Sequence, residues 1–253
     1  MQRFLLCLGG GLLILAGCSS EPDGPWRAPG ASYDLSHWKL TLPDKDASEV
    51  PGDELRAGYA SRYFHLADNG AMVFMAPAGA GSTRNSDYPR AELRELLDPG
   101  DDNRNWSGEG FHQLEASAQV LRAPSTQKII VGQIHGFDAR PLVKLQWHKG
   151  RLKALIKRHP TGGNQDISHT FAAPVGNQPF AYRIEVRDGV LAVDVAGERI
   201  EHDFYKADPA WRDVAFYFKA GAYVQDDQHD GDDDLGEVQF SRLAVRHDAV
   251  RHD

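Results

Sequence analysis

Tyr217-Phe218-Lys219-Ala220-Gly221-Ala222-Tyr223-Val224-Gln225 is the stretch whose reading decides the fold. Successive side chains of a β-strand point to opposite faces, so a period of two sorts this stretch into two sets. Phe218, Ala220, Ala222 and Val224 form an apolar set that faces a core. Tyr217, Lys219, Gly221, Tyr223 and Gln225 form the other. The accessible set reads as the floor of a binding groove: two phenols, an ammonium and an amide around a glycine. Gly221 would leave room for a ligand to approach the backbone. An ordinary amphipathic strand is the plainer reading of the same alternation.

The pattern repeats along the chain. Runs at 111–121, 128–135, 142–148, 151–158, 181–187, 190–195, 214–225 and 237–246 predict strands. Lys149-Gly150, Asp188-Gly189 and Ala196-Gly197 sit between them, where tight hairpin turns belong. Only 53–59 and 207–212 look like short helices, and no long stretch keeps a 3.6-residue period. Many strands without a helical layer predict an all-β sandwich or barrel. A two-sheet sandwich with one curved, groove-forming sheet fits best.

Two further segments carry unusual polar faces. In Tyr88-Pro89-Arg90-Ala91-Glu92-Leu93-Arg94-Glu95, a strand would put Arg90, Glu92 and Arg94 on one face, with Ala91 and Leu93 on the other. Two cations around a carboxylate make a self-neutralising array whose guanidinium groups can bind a carboxylate bidentately. A surface salt-bridge ladder is the alternative. In Gly132-Gln133-Ile134-His135-Gly136, Gln133 and His135 share a face and Ile134 points to the core. An amide donor two residues from an imidazole suits binding and deprotonating one group.

The chain has 253 residues, 41% hydrophobic and 25% charged, as expected of one globular all-β domain or two small ones. Its start differs. Residues 4–16 are apolar, behind the single cation Arg3. The run is too short to span a bilayer comfortably and fits the core of an export signal. Leu15-Ala16-Gly17-Cys18, followed by Ser19 and Ser20, resembles a bacterial lipobox. That resemblance implies cleavage before Cys18, acylation of its thiol and, from Ser19, sorting to the outer membrane. A plain signal peptide with an incidental Cys is the alternative. Residues 1–17 are thus expected to be a signal, 18–31 a Ser/Pro/Gly-rich tether, and 32–249 the domain. Cys7 and Cys18 are the two cysteines, so the mature domain has no disulfide. A net charge of −8 makes nucleic acid a poor partner, and an acidic ligand would require a local gathering of cations.

Together, Arg90-Ala91-Glu92-Leu93-Arg94, Gln133-Ile134-His135 and Tyr217 to Gln225 resemble, in order, the three signatures of the alginate lyases of polysaccharide lyase family 7. Leu35 to Pro43 and Val238 to Leu243 add to the likeness, which covers about 33–247. Ala91 stands where the family usually has Thr or Ser; facing the core, it should alter packing only. The resemblance implies a β-jelly roll with a concave catalytic sheet, acting on alginate without a cofactor or metal. It also implies a catalytic set of Arg90, Gln133, His135 and Tyr223. Glu92, Arg94, Tyr217, Lys219 and Gln225 would contact substrate. A monomer is expected. Ile134 in the second signature resembles members that accept guluronate-containing chains.

Competing signals are weaker. Asp226 to Glu237 nearly spells a calcium loop, but Gln228 replaces an acidic ligand, so a solvated, mobile acidic loop is expected, with a lid bordering the groove as the alternative. A glycoside hydrolase would need paired carboxylates on the groove strands, which are absent. A carbohydrate-binding module would have no reason to combine His135 with Tyr223. A lyase acting on another polyuronate remains open.

Overall fold

The computed structural model describes residues 26–248 except 85, 164, 229 and 232; the expected signal at 1–17, Cys18 and most of the expected tether lie outside these. Two antiparallel sheets stack face to face. The strands in chain order are β1 (Trp38–Thr41), β2 (Glu49–Val50), β3 (Phe64–Leu66), β4 (Met72–Pro77), β5 (Arg90–Glu95) and β6 (Trp106–Ser107). Then come β7 (Phe111–Arg122), β8 (Lys128–Gly136), β9 (Pro141–His148), β10 (Arg151–Lys157) and β11 (Asp166–Pro174). The last are β12 (Phe180–Arg187), β13 (Val190–Val195), β14 (Glu198–Asp203), β15 (Ala215–Val224) and β16 (Leu235–Asp248). The groove sheet runs β11-β10-β9-β8-β15-β5-β1-β2, with β6 against β15. The outer sheet runs β14-β13-β12-β7-β16-β4-β3. Strands distant in sequence lie side by side, as the expected jelly-roll sandwich demands.

Alternation builds the core. Phe218, Ala220 and Ala222 of β15 meet Leu114, Ala116 and Val120 of β7 in one buried cluster. Ala91 and Ile134 face that core as expected. Phe64, Phe74 and Phe240 stack at one end through tilted and edge contacts, and Phe204, Trp211 and Phe216 do so at the other. Each buried ring of this kind contributes roughly 2–3 kcal/mol of transfer free energy.

All three predicted hairpin turns form. Lys149 and Gly150, Asp188 and Gly189, and Ala196 and Gly197 have positive φ at both positions, the signature of the tight turn that follows strand twist. The eight predicted strands are present with ends moved by one or two residues. The helix at 53–59 is α1 (Gly52–Ala57). The one at 207–212 is two pieces: α2 (Phe204–Ala207) and a 3-10 turn at Pro209–Asp213. Asp208 separates them in extended conformation and caps the second through Ala210 N–H, with Pro209 next in line.

Candidate active site

Three strands set the site by register. On the β5–β15 ladder, Arg90 faces Tyr223, Glu92 faces Gly221 and Arg94 faces Lys219. On the β15–β8 ladder, Lys219 faces Gln133 and Tyr217 faces His135. The three sequence motifs are therefore neighbours in one sheet. Above them lies a groove of about 950 Å³ that all of Arg90, Arg94, Gln133, His135, Tyr217, Lys219 and Tyr223 line. Lys39, Arg140 and Lys144 join Arg90, Arg94 and Lys219 on its surface, against the carboxylates of Glu49, Asp102 and Asp138. The local cation excess expected of an acidic protein with an acidic ligand is thus met on this face.

Glu92 is the hub beneath the floor. It is 0% exposed, which corrects its assignment to substrate contact: its carboxylate is spent on its neighbours. It accepts from Lys219 Nζ at 2.6 Å, Arg90 at 3.4 Å and Gln133 Nε2 at 2.5 Å. Burial alone would push this carboxyl up, but the Lys219 and Arg90 charges outweigh it and hold it below its usual range. Lys219 is conversely pulled down to about 8, chiefly by desolvation, with Glu92 opposing. The ladder is Arg90–Glu92–Lys219 across two strands, not Arg90–Glu92–Arg94 along one. Arg94 is instead pinned by the carbonyls of Glu95 and Asp102 and by Asn105 Oδ1, each at 2.8 Å.

His135 is prepared as a base. Its Nδ1 lies 2.8 Å from the Gly136 carbonyl. A carbonyl only accepts, so the proton sits on Nδ1 and Nε2 carries the lone pair. Burial, then the charge of Lys219, lowers its pKa to about 4. Tyr217 stacks on the imidazole with centroids 5.4 Å apart, and the Arg94 guanidinium lies 4.2 Å above the Tyr217 ring. Tyr223 is held likewise: Arg90 lies 3.7 Å over its ring and Ser86 Oγ is 2.9 Å from its hydroxyl.

Two expectations change. Gln225 falls one residue beyond the end of β15, is tied by its N–H to the Lys128 carbonyl, and is not among the groove-lining residues. Gly221 does not make room for a ligand. Its φ is +154° and a Cβ there would meet the Ala91 carbonyl oxygen at 2.4 Å, so it serves a bulge and close contact with β5. Gly132 similarly leaves the space filled by the Tyr182 hydroxyl, which donates to the Val131 carbonyl at 2.8 Å. The acidic loop is largely exposed in its described residues, as a solvated loop should be, but it does not border the groove. Asp226 is buried and accepts from Ser125, Thr126 and Gln228. Among the described residues, no cluster of His, Cys, Asp or Glu has metal-binding geometry. Ser86, Lys39, Arg140 and Lys144 were not legible as groove residues, because loops and register bring them there.

A jelly-roll groove sheet floored by cations and an amide, with a neutral imidazole and a phenol facing the same groove, defines a polysaccharide lyase of the β-elimination class. The chain belongs to the alginate lyase family, family 7 of these enzymes: the family model matches residues 33–247. An alginate lyase of Klebsiella pneumoniae is 30% identical over 88% of this chain and 92% of its own length. The crystal structure of alginate lyase A1-II′, of polysaccharide lyase family 7, superposes with TM-score 0.85 at 39% identity, covering 88% of this chain and all of that one. Alginate lyase PA1167 of Pseudomonas aeruginosa gives 0.78 at 35%, over 85% of this chain and all of its own. A variant of A1-II′ solved in complex with a substrate, GGMG, also superposes with TM-score 0.85 at 39% identity, covering 89% of this chain and 99% of that one.

Proposed function

We propose that the chain cleaves alginate by β-elimination, with Arg90, Gln133, His135 and Tyr223 as the catalytic set. The observation that carries this is His135: its Nδ1–H is committed to the Gly136 carbonyl, so its free Nε2 faces a groove floored by Arg90, Lys219 and Gln133. In a 4-linked uronate, elimination removes the C5 proton and expels the C4 oxygen. The C5 proton is only weakly acidic while the adjacent carboxylate is charged. Arg90 and Gln133, backed by Lys219, neutralise that carboxylate and stabilise the enolate-like charge that develops. His135 Nε2 takes the proton and Tyr223 protonates the leaving oxygen. Base, acid and charge stabilisation all come from the chain's own side chains, so turnover is expected to survive EDTA. The substrate-bound structure of A1-II′ supports alginate as the polymer.

The two alginate sugars differ at C5, which supplies the test. In guluronate the proton and the leaving oxygen lie on opposite sides of the ring, so His135 and Tyr223 must flank it. In mannuronate they lie on one side, where Tyr223 reaches both. Tyr223→Phe should abolish the absorbance of new double bonds on both polymers. His135→Ala should lose on the order of a hundred- to ten-thousand-fold on polyguluronate and keep a measurable fraction on polymannuronate. Equal losses for His135→Ala, with the fold intact by circular dichroism, would make His135 a binding residue only.

The domain is further proposed to be a monomer carried to the outer membrane on a lipid at Cys18. Leu15-Ala16-Gly17-Cys18 and the preceding apolar run support this. Detergent partitioning that Cys18→Ser leaves unchanged would refute it.

A further inference from the structure

The groove sheet continues beyond the catalytic floor. Register carries its polar face from Gln133 to Lys144 on β9, and then along β9 to Gln146 and His148. Gln146 faces Lys153 on β10, and His148 faces Lys128 on β8 and Arg151 on β10. The far corner of the sheet therefore presents Lys128, Arg151 and Lys153 around His148, with Lys149 on the adjoining turn. Charge acts between them: burial and then the charges of Lys153, Lys128 and Lys149 lower His148 from its ordinary value. None of these four cations has a carboxylate in ion-pair contact among the described residues. Asp226 accepts from Ser125 and Thr126, and Asp234 Oδ1 accepts from the Ser125 N–H.

Gln146 is the second observation. It is 8% exposed, lies between the groove residue Lys144 and His148, and its side-chain amide makes no hydrogen bond among the described residues. The Gln146 residue is largely covered, but its amide atoms reach solvent on this face and are free to hydrogen-bond a ligand. It faces the same side of the sheet as the catalytic residues. From Lys144 to His148 the track extends about 13 Å, at roughly 3.3 Å per residue.

We propose that this corner is a second anionic-polysaccharide contact, which holds a stretch of polyuronate away from the cleavage point. Lys128, Arg151 and Lys153 pair with sugar carboxylates, and Gln146 takes a hydroxyl or carboxylate oxygen. The occupant is the polymer because the corner is continuous with the catalytic groove through Lys144, and a linear polyanion matches its charge. The inference rests on the function proposed above.

The test separates chain lengths. In the full domain, Lys128→Gln, Arg151→Gln and Lys153→Gln are combined. Arg56→Gln, Arg187→Gln and Lys206→Gln together form a control with the same change in net charge. The KM for polymeric alginate at low salt should rise roughly five- to tenfold in the first variant only, with kcat unchanged. The kcat/KM for an alginate tetrasaccharide, which when centred on the cleavage point places only two sugars on the side of the corner and stops short of it, should stay within twofold. The gap should close in about 0.5 M salt. A double variant of the exposed Lys128 and Arg151 alone, expected to rise about threefold, guards against misfolding through Lys153. An equal rise on polymer and tetrasaccharide would overturn the proposal, as would no rise on polymer. So would unchanged polymer kinetics with lost binding to vesicles rich in anionic lipid, which would make the corner a membrane contact. Failure of the wild-type protein to form unsaturated products from polymeric alginate would instead overturn the function itself.

Discussion

Strand β5 carries two buried carboxylates three residues apart, on opposite faces, and the chain satisfies them in opposite ways. Glu92 faces the groove and is neutralised by two cations and an amide, each of which also lines the groove. Glu95, 3% exposed, faces the interior. One of its oxygens accepts from Trp106 Nε1 at 3.0 Å and from the Phe218 N–H at 2.9 Å. The other meets His247 Nε2, whose Nδ1 lies 2.7 Å from His112 Nδ1. His112 in turn gives its Nε2–H to the Glu109 carbonyl. This second network is closed: every group spends itself on another group of the protein. The first is open. Arg90, Lys219 and Gln133 each keep N–H groups beyond those given to Glu92, and the Arg90 Nε–H has no acceptor among the described residues. A closed network builds a fold, whereas an open one arms a site.

The comparison is broken most sharply by making one change at both places. Glu92→Gln leaves three donors facing a single amide oxygen and removes the countercharge of two buried cations. Loss of one partner from a buried pair costs about 3–5 kcal/mol, so unfolding should occur at clearly lower temperature. Turnover on polyguluronate should fall at least a hundredfold, the scale of a disrupted oxyanion site. A Glu92→Gln enzyme with wild-type kcat would mean that Arg90 and Lys219 are oriented by something else.

The next effect is about tenfold per pH unit. His135 acts as the neutral base, present above its pKa of about 4, and Lys219 acts as a cation, present below its pKa of about 8. The profile of kcat/KM, which reports the free enzyme, should be flat between these values and fall on either side. Lys219→Arg should move the alkaline limb upward, because a guanidinium keeps its charge. An acid limb near 6.5 would show that His135 is solvated, and that the open network does not extend to the base.

Much of this was legible in the sequence, and the exceptions have physical causes. The strands of 217–225, 128–135 and 111–121 bury one whole face, so alternation announced them. Strand β14, Glu198–Asp203, is an edge strand of alternating half-buried and exposed residues, and β11, at the edge of the other sheet, buries little beyond Phe171. Such strands leave no apolar period to read. Alternation placed Lys219, Tyr217 and Tyr223 correctly, but it could not show that Glu92 lies under Lys219 and Gln133, which is a matter of cross-strand register. It also overshot at Gln225, because the strand ends at Val224. Residues brought by loops, Ser86 and Arg140 among them, carry no periodic signal at all.

At the closed network a smaller effect is expected. In Glu95→Gln, the amide oxygen still accepts from Trp106 and Phe218, and the amide N–H faces His247 Nε2, which accepts in its neutral form. Stability should fall by about 1–2 kcal/mol, the scale of a weakened buried hydrogen bond. The kcat/KM should stay within about threefold of wild type. A loss approaching that of Glu92→Gln would mean that Glu95, through the Phe218 N–H, positions Tyr217 and Lys219, and the distinction between fold and site would fail.

The smallest effect tests how the acid is held. Ser86 Oγ lies 2.9 Å from the Tyr223 hydroxyl and accepts the Tyr88 N–H at 3.1 Å, so the loop of residues 82–88 reaches the phenol through one hydroxyl. Tyr223 keeps the Arg90 guanidinium over its ring whether or not Ser86 is present, and β15 fixes its backbone. Ser86→Ala therefore removes orientation about one torsion and one hydrogen bond, worth about 1 kcal/mol or roughly fivefold in rate. The loss should appear in kcat with KM unchanged, because Ser86 acts through the phenol. It should also be equal on polymannuronate and polyguluronate, since Tyr223 protonates the leaving oxygen in both. Ser86→Thr, which keeps the hydroxyl, should recover most of it. A loss beyond a hundredfold would mean that the proton reaches the sugar through Ser86, and a loss confined to one polymer would mean that Ser86 touches the sugar itself.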